Sequence, residues 1–258
     1  MEQNENTRQQ RETYEKLLFR RDKVEKEATE YKLSFIAEYG ELLTERFRRK
    51  ISCIEKKKII AFCQAAVNQG HRVDVEKMNR YIDAVMKEYR EELDELISAH
   101  KLCSETTPIS ENDYLTVKRI YRKIAKKIHP DLHPGYENNP ELAEHWTAVM
   151  NAYHCNDLRA LERLDIQTDV ILRDLGEKVD ETVIPDIEQK TAELEAEIER
   201  ITTTDPYLYK LILEDQKQIS EYKEHLREEI EEYINYERRL TEIIRLLIKG
   251  GAQFTWET

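Results

Sequence analysis

His129-Pro130-Asp131 places an imidazole, a rigid ring and a carboxylate side by side, directly after a run of cations. Proline fixes its own φ and keeps the preceding residue out of the helical region, so its two polar neighbours are aimed. Upstream, Lys118, Arg119, Arg122, Lys123, Lys126 and Lys127 lie between Tyr114 and Ile128, a stretch without any acidic residue. On a helix, Lys118, Arg122 and Lys126 stand four apart, as do Arg119, Lys123 and Lys127, so all six share one broad face. Val117, Ile120, Tyr121, Ile124 and Ile128 take the opposite side. A carboxylate beside a cationic rod has the chemistry of protein docking: the acid suits a charge-assisted bond to a partner arginine, and the cations suit an acidic surface. The alternative is a solvated basic face, or one paired with acidic helices of the same chain.

Other reactive side chains lead less far. His129 and His133, with His145, His154 and Cys155, raise a metal site, but Pro130 and Pro134 break the helix that four-residue spacing needs, so no metal is expected. Nothing sets a cysteine beside a base, and no glycine-rich phosphate loop occurs, so neither catalysis nor nucleotide hydrolysis nor a cofactor is expected. The formal net charge is -12 and the pI about 5.3. Such a body repels nucleic acid and anionic lipid, so neither is an expected partner. Single-strand RNA binding by the basic helix is further disfavoured because stacking aromatics are not interleaved in it.

The elements that must position the corner are helical. With 6 glycines and 6 prolines in 258 residues, the chain lacks turn material for an all-β fold, and an all-α fold is expected. A helix is read over 8–69, with Val24, Ala28, Tyr31, Phe35 and Leu42 on one stripe that drifts beyond Phe47, and an apolar stretch from Ile59 to Val67. Gly70 ends it and Asp74 caps the next helix, Val75 to Leu102. The two should fold back as an antiparallel hairpin. A polar break, Ser104 to Asn112, contains Pro108. Helices follow from Asp113 to Ile128, from Pro140 to His154 and, briefly, from Asp157 to Leu164; residues 165–184 are ambiguous, with Gly176 as a breaker. In the last third, Ile187, Leu194, Ile201 and Leu208 recur every seven residues. After Asp205-Pro206, so do Ile212, Ile219, Leu226, Tyr233, Leu240 and Leu247. Heptads of this length imply a supercoil against a partner helix, either an N-terminal helix or another chain as a homodimer. That seam is a structural coiled coil or a binding groove, and the Glu228, Glu229, Glu231, Glu232 face is solvated. Phe254 and Trp256 form a tail that docks on the body or serves as a handle for a partner.

No apolar run approaches the ~20 residues of a membrane span, so no membrane partner is expected. Met1 to Arg11 has no signal-peptide core, and Cys53, Cys63, Cys103 and Cys155 are scattered, reading as reduced thiols of a cytoplasmic protein.

The run Lys118-Arg119-Ile120-Tyr121-Arg122-Lys123-Ile124-Ala125-Lys126-Lys127-Ile128-His129-Pro130-Asp131 resembles the second helix and loop of DnaJ-type J-domains. Trp146, Val149, Ala152 and Tyr153 match the spacing of that family's third helix. The resemblance covers about residues 113–164. It implies that Ile120, Tyr121 and Ile124 pack on Trp146, Val149, Ala152 and Tyr153, and that the corner projects from the hairpin tip. It also implies that His129, Pro130 and Asp131, with the six cations, dock on a DnaK-class ATPase chaperone and stimulate its hydrolysis, no bond being made or broken on this chain. Two departures stand out. The family's apolar first helix is missing upstream, and the end of the Val75–Leu102 helix is the candidate substitute. The Gly/Phe-rich and zinc-binding segments of full-length members are missing too, which leaves the flanking helices to select an unknown client or recruiting protein. The domains expected are an N-terminal helical hairpin (1–103), a J-domain-like segment (104–165), a linker (166–185) and a C-terminal coiled-coil hairpin (186–258). The rival reading is a coiled-coil scaffold whose J-like hairpin is purely structural, against which the intact His129-Pro130-Asp131 argues.

Overall fold

The computed structural model describes residues 2–105, 109–176, 184–249 and 254–255. It is all-α: α1 (Glu2–Asn68), α2 (Val75–Glu105), α3 (Glu111–Ile128), α4 (Pro140–His154), α5 (Leu158–Asp174), α6 (Ile187–Thr203), α7 (Lys210–Leu213) and α8 (Gln216–Lys249). The single exception among the described residues is a two-residue parallel ladder, β1 (Val73–Asp74) with β2 (Phe254–Thr255). None of these helices is long and apolar enough to cross a membrane.

Local chemistry sets the boundaries. Past α1, Gly70 takes a left-handed φ of 71°, and the His71 amide donates back to the Ala66 carbonyl at 2.9 Å, which closes the helix end. Asp74 accepts from the Lys77 amide at 2.9 Å and caps α2, as its sequence position predicts. Ser110 accepts from the Asp113 amide at 3.1 Å and starts α3. Asn139 caps α4, with Pro140 in the first turn, where a missing N–H costs nothing.

The chain groups into two compact units, Met1–Tyr31 with Thr107–Leu208, and Lys32–Thr106 with Tyr209–Thr258. This differs from the expected four-segment division. In the second unit the expected α1–α2 hairpin is present, with Ile51 packed on Ile82 and Met86. The α8 heptad seam is covered within the chain: Leu226 packs with Phe35 and Tyr39, and Leu240 with Cys53 and Ile60. The expected C-terminal hairpin (186–258) is divided, α6 grouping with the first unit and α8 with the second. Leu194 of α6 instead joins Tyr14, Leu18, Leu132 and Ile184 in the first unit. A heptad pattern fixes which face is buried but not which helix buries it. The run of heptads is also interrupted, since α6 stops at Thr203 and α8 starts only at Gln216.

Half of the expected 166–185 linker is helix. α5 continues to Asp174 because Thr168 and Leu172 bury on the same side as Leu161, and Gly176, at φ 66°, comes after its end. Residues 177–183 lie outside the described residues, as do Trp256 and the side chain of Cys103; of the tail, Phe254–Thr255 is placed by its backbone pairing with Val73–Asp74.

Candidate functional site

The corner is held by three helices of the first unit. Val117, Ile120, Tyr121, Ile124, Ala125 and Ile128 of α3 share one core with Leu142, Val149, Ala152 and Tyr153 of α4 and Leu161 and Leu172 of α5, and Trp146 packs against it. The side chains expected to meet across α3 and α4 do meet: the rings of Tyr121 and Tyr153 stack at 3.9 Å, and Trp146 lies 6.0 Å from Tyr121. The pairing is antiparallel, since at the other end of α3 His129 meets Trp146 edge-on at 4.6 Å. The His129 amide still donates to the Ala125 carbonyl, at 2.9 Å, and Pro130 then stops the helix.

The two polar groups of the corner have different fates. Asp131 keeps 44% of its side chain exposed, whereas His129 is 4% exposed. The imidazole is therefore not presented to solvent. Its Nδ1 accepts from the Asp131 amide at 3.0 Å, which ties the loop to its own first residue. In the neutral ring the proton then sits on Nε2, which faces Asp22 Oδ2 at 3.9 Å. Burial, with Arg21 and His133 nearby, pushes the His129 pKa down to about 3, so the ring is neutral at physiological pH. His133, also buried, donates Nε2–H to the Lys126 carbonyl at 2.8 Å and stacks on Tyr136. Among the described residues no three His, Cys, Asp or Glu side chains gather in a way that could hold a metal ion.

The basic face is divided among neighbours. Lys123 donates to Asp165 at 2.6 Å and Lys127 pairs with Asp169, both acids on α5. Lys126 meets Glu15 at 2.6 Å and Lys118 meets Glu27 at 4.0 Å, both on α1. Arg119 and Arg122 are exposed, with no ion pair among the described residues.

Sequence reasoning missed the contribution of α1. Tyr14, Leu18, Asp22 and Lys26, four apart, make one buried stripe, in which Tyr14 and Leu18 pack with Leu132, Ile184 and Leu194, while Asp22 and Lys26 meet Tyr121 of α3 and Tyr153 of α4. Lys26, 0% exposed, donates to the Tyr153 carbonyl at 2.6 Å and pairs with Glu30 at 3.2 Å. Asp22, 1% exposed, accepts from the Tyr121 hydroxyl at 2.6 Å and from Arg21 Nε at 2.8 Å. Burial raises the Asp22 pKa against these two partners, and burial likewise lowers that of Lys26. The companion of the hairpin expected from the sequence was the end of the Val75–Leu102 helix. α2 belongs to the other unit. A stripe that begins with Tyr14 and Leu18 and continues into Asp22 and Lys26 was readable as a buried face carrying a polar pair. So was the match between Lys123 and Lys127 on α3 and Asp165 and Asp169 on α5, each pair four apart.

No family model, curated protein or solved structure matches this chain. The geometry must therefore carry the functional argument alone. It can offer a carboxylate on a stiffened corner, with Arg21 3.8 Å away, after a helix that carries two exposed guanidinium groups and four lysines already paired with internal acids. Lysines so paired are available to a partner only by exchange of one acid for another, a small cost of about 0–1 kcal/mol for the more exposed pairs of Lys123 and Lys126, whereas Lys118, half-buried over the Tyr114 ring, is held more firmly.

Proposed function

We propose that the chain is a J-domain-type cochaperone that docks on a DnaK-class ATPase chaperone through Asp131 and the α3 basic face and stimulates that partner's ATP hydrolysis. The observation that carries this reading is the half-exposed carboxylate of Asp131, at a proline-fixed hairpin tip whose core is the Tyr121, Trp146, Val149, Ala152, Tyr153 set. Arg119 and Arg122 are the first cations such a partner meets, and Lys118, Lys123, Lys126 and Lys127 join by exchanging partners. Long-range attraction from this face speeds encounter with an acidic surface and weakens as salt rises. The setting is cytoplasmic, with the coiled-coil unit recruiting a client or a further partner.

The test is an ATPase assay with a purified DnaK-class chaperone. The chain should stimulate hydrolysis, and Asp131→Asn should weaken the interaction at least about tenfold, roughly 1.4 kcal/mol. Unchanged stimulation by Asp131→Asn would end this reading. A second reading, a scaffold in which the hairpin is structural, is favoured by the burial of His129 and the internal pairing of the four lysines. It predicts that no DnaK-class ATPase responds to the chain at any salt concentration.

A further inference from the structure

We infer that Arg21 and Asp22 of α1 are positioning residues for the docking corner, Asp22 setting the His129 ring from behind and Arg21 holding the Asp131 carboxylate from the side. This rests on the cochaperone reading of the corner and adds to it a device outside the hairpin.

The contacts form a chain from α1 to the surface. Asp22 is fixed by two donors, the Tyr121 hydroxyl at 2.6 Å and Arg21 Nε at 2.8 Å. Its Oδ2, the atom that accepts from Tyr121, also faces His129 Nε2 at 3.9 Å, where a proton on that nitrogen is favoured by the acid. With Nε2 protonated, Nδ1 is left as the acceptor for the Asp131 amide, at 3.0 Å. That bond sets the direction in which the Asp131 side chain leaves the corner. Arg21, 20% exposed, completes the arrangement: Nη2 lies 3.8 Å from Asp131 and Nη1 lies 3.7 Å from Glu197 of α6. A second tether comes from Arg11, which donates to the Leu132 carbonyl at 3.4 Å. Asp22, 1% exposed, does not reach the surface, and Arg21 meets the docking corner at the Asp131 carboxylate, so the two residues act through His129 and Asp131.

Arg21 could instead be read as a mask, an internal cation occupying the place of a partner's arginine. Its other contacts speak against such a mask, because Arg21 Nε donates to Asp22 at 2.8 Å and Nη1 lies 3.7 Å from Glu197, two further acids that hold the guanidinium where it is. A positioning residue changes the fraction of corners in the competent arrangement, so its loss raises the concentration needed for half-maximal stimulation and leaves the maximum unchanged.

The experiment uses the full chain, with imidazole nitrogen NMR of His129 and titrated stimulation of a DnaK-class ATPase. In the wild type His129 should be neutral with the proton on Nε2. In Asp22→Asn both tautomers should be populated, and half-maximal stimulation should require about tenfold more protein, as a fall of the competent fraction to about a tenth would give. Tyr121→Phe, which removes one donor to Asp22 and leaves the acid, should move both readouts in the same direction by less, and it serves if Asp22→Asn does not fold. Unaltered His129 spectra, or unchanged half-saturation with altered spectra, would overturn the positioning role. Arg21→Gln should weaken stimulation; if it strengthens it, Arg21 is a mask. Should the wild type stimulate no such ATPase, the cochaperone reading fails by itself, and the His129 spectra alone decide whether Asp22 governs the corner.

Discussion

Apart from Thr44, every polar side chain buried among the described residues lies in the unit made from Met1–Tyr31 and Thr107–Leu208: Asp22, Lys26, His129, His133, His145 and Thr168. In the other unit the interior is Phe35, Tyr39, Ile51, Ile82, Met86, Leu226 and Leu240, and its charges stay at the edges, as in Arg46–Glu229 and Lys56–Glu237. The first unit pairs most of its buried polar groups one by one, with Asn156 Oδ1 and Asp165 Oδ1 as exceptions among the described residues. Lys26 reaches a carbonyl and a carboxylate, Asp22 a hydroxyl and a guanidinium, and His145 donates to Thr168 at 2.9 Å, which donates onward to the Leu164 carbonyl at 2.8 Å. A polar interior of this kind adds little stability over an apolar one, yet it penalises every arrangement that leaves a member unpaired. The apolar seam is held by area and tolerates shape changes. The contrast places specificity in the unit that carries the corner, and length and bulk in the other.

The sharpest way to break that contrast is at Asp22. Asp22→Ala strands the Tyr121 hydroxyl and should cost about 3 kcal/mol, the scale for removing one partner of a buried charged pair; a urea unfolding midpoint close to wild type would show the polar interior to be incidental. Acidification comes next. His129 has its pKa lowered in the folded chain, so its contribution is present above the unfolded value near 6.5 and is lost as pH falls toward about 3. Asp22, raised by burial, has the opposite sign and regains stability as it protonates. Between pH 7 and pH 5 the histidines outweigh Asp22, since burial lowers His145 and His154 as well, and the share of His129 should be on the order of 1–2 kcal/mol. Melting across that range should show it, and His129→Gln should flatten the slope. In the seam, Leu226→Met at a fully buried site should cost less than about 1.5 kcal/mol, because volume is conserved. A loss equal to that of Asp22→Ala would erase the distinction between the units. Smallest of all, Arg46→Ala removes a half-exposed pair with Glu229 and should change stability by about 0.5 kcal/mol, an effect that 1 M salt abolishes.

Much of the molecule was legible beforehand, and the failures have physical causes. Helix ends marked by Gly70, Asp74 and Pro140 fall where the sequence placed them, because caps and proline act within a few residues. The α3–α4 core was legible for the same reason: the apolar spacing of Ile120, Tyr121 and Ile124 selects one face, and the next helix in the chain is one of those that cover it, with α5 beside it. Partner choice over long separations was not legible. Leu194 and Leu226 carry similar heptads, yet the first packs on Tyr14 and Leu18 and the second on Phe35 and Tyr39. Nor did the sequence reveal that His129 is interior, since an isolated imidazole in a loop gives no sign of the Trp146 ring and the Asp22 carboxylate that enclose it.

Each compact unit draws on two separated stretches of chain, and the stretches alternate. On the ribosome this order has a cost. The first stretch, up to Tyr31, emerges with Asp22 and Lys26 lacking their α3 and α4 partners, which lie 99 and 127 residues further on, and Phe35 and Tyr39 wait longer still for Leu226. Until then that stretch lacks the partners that cover it, the kind of nascent segment on which other proteins act before a fold closes.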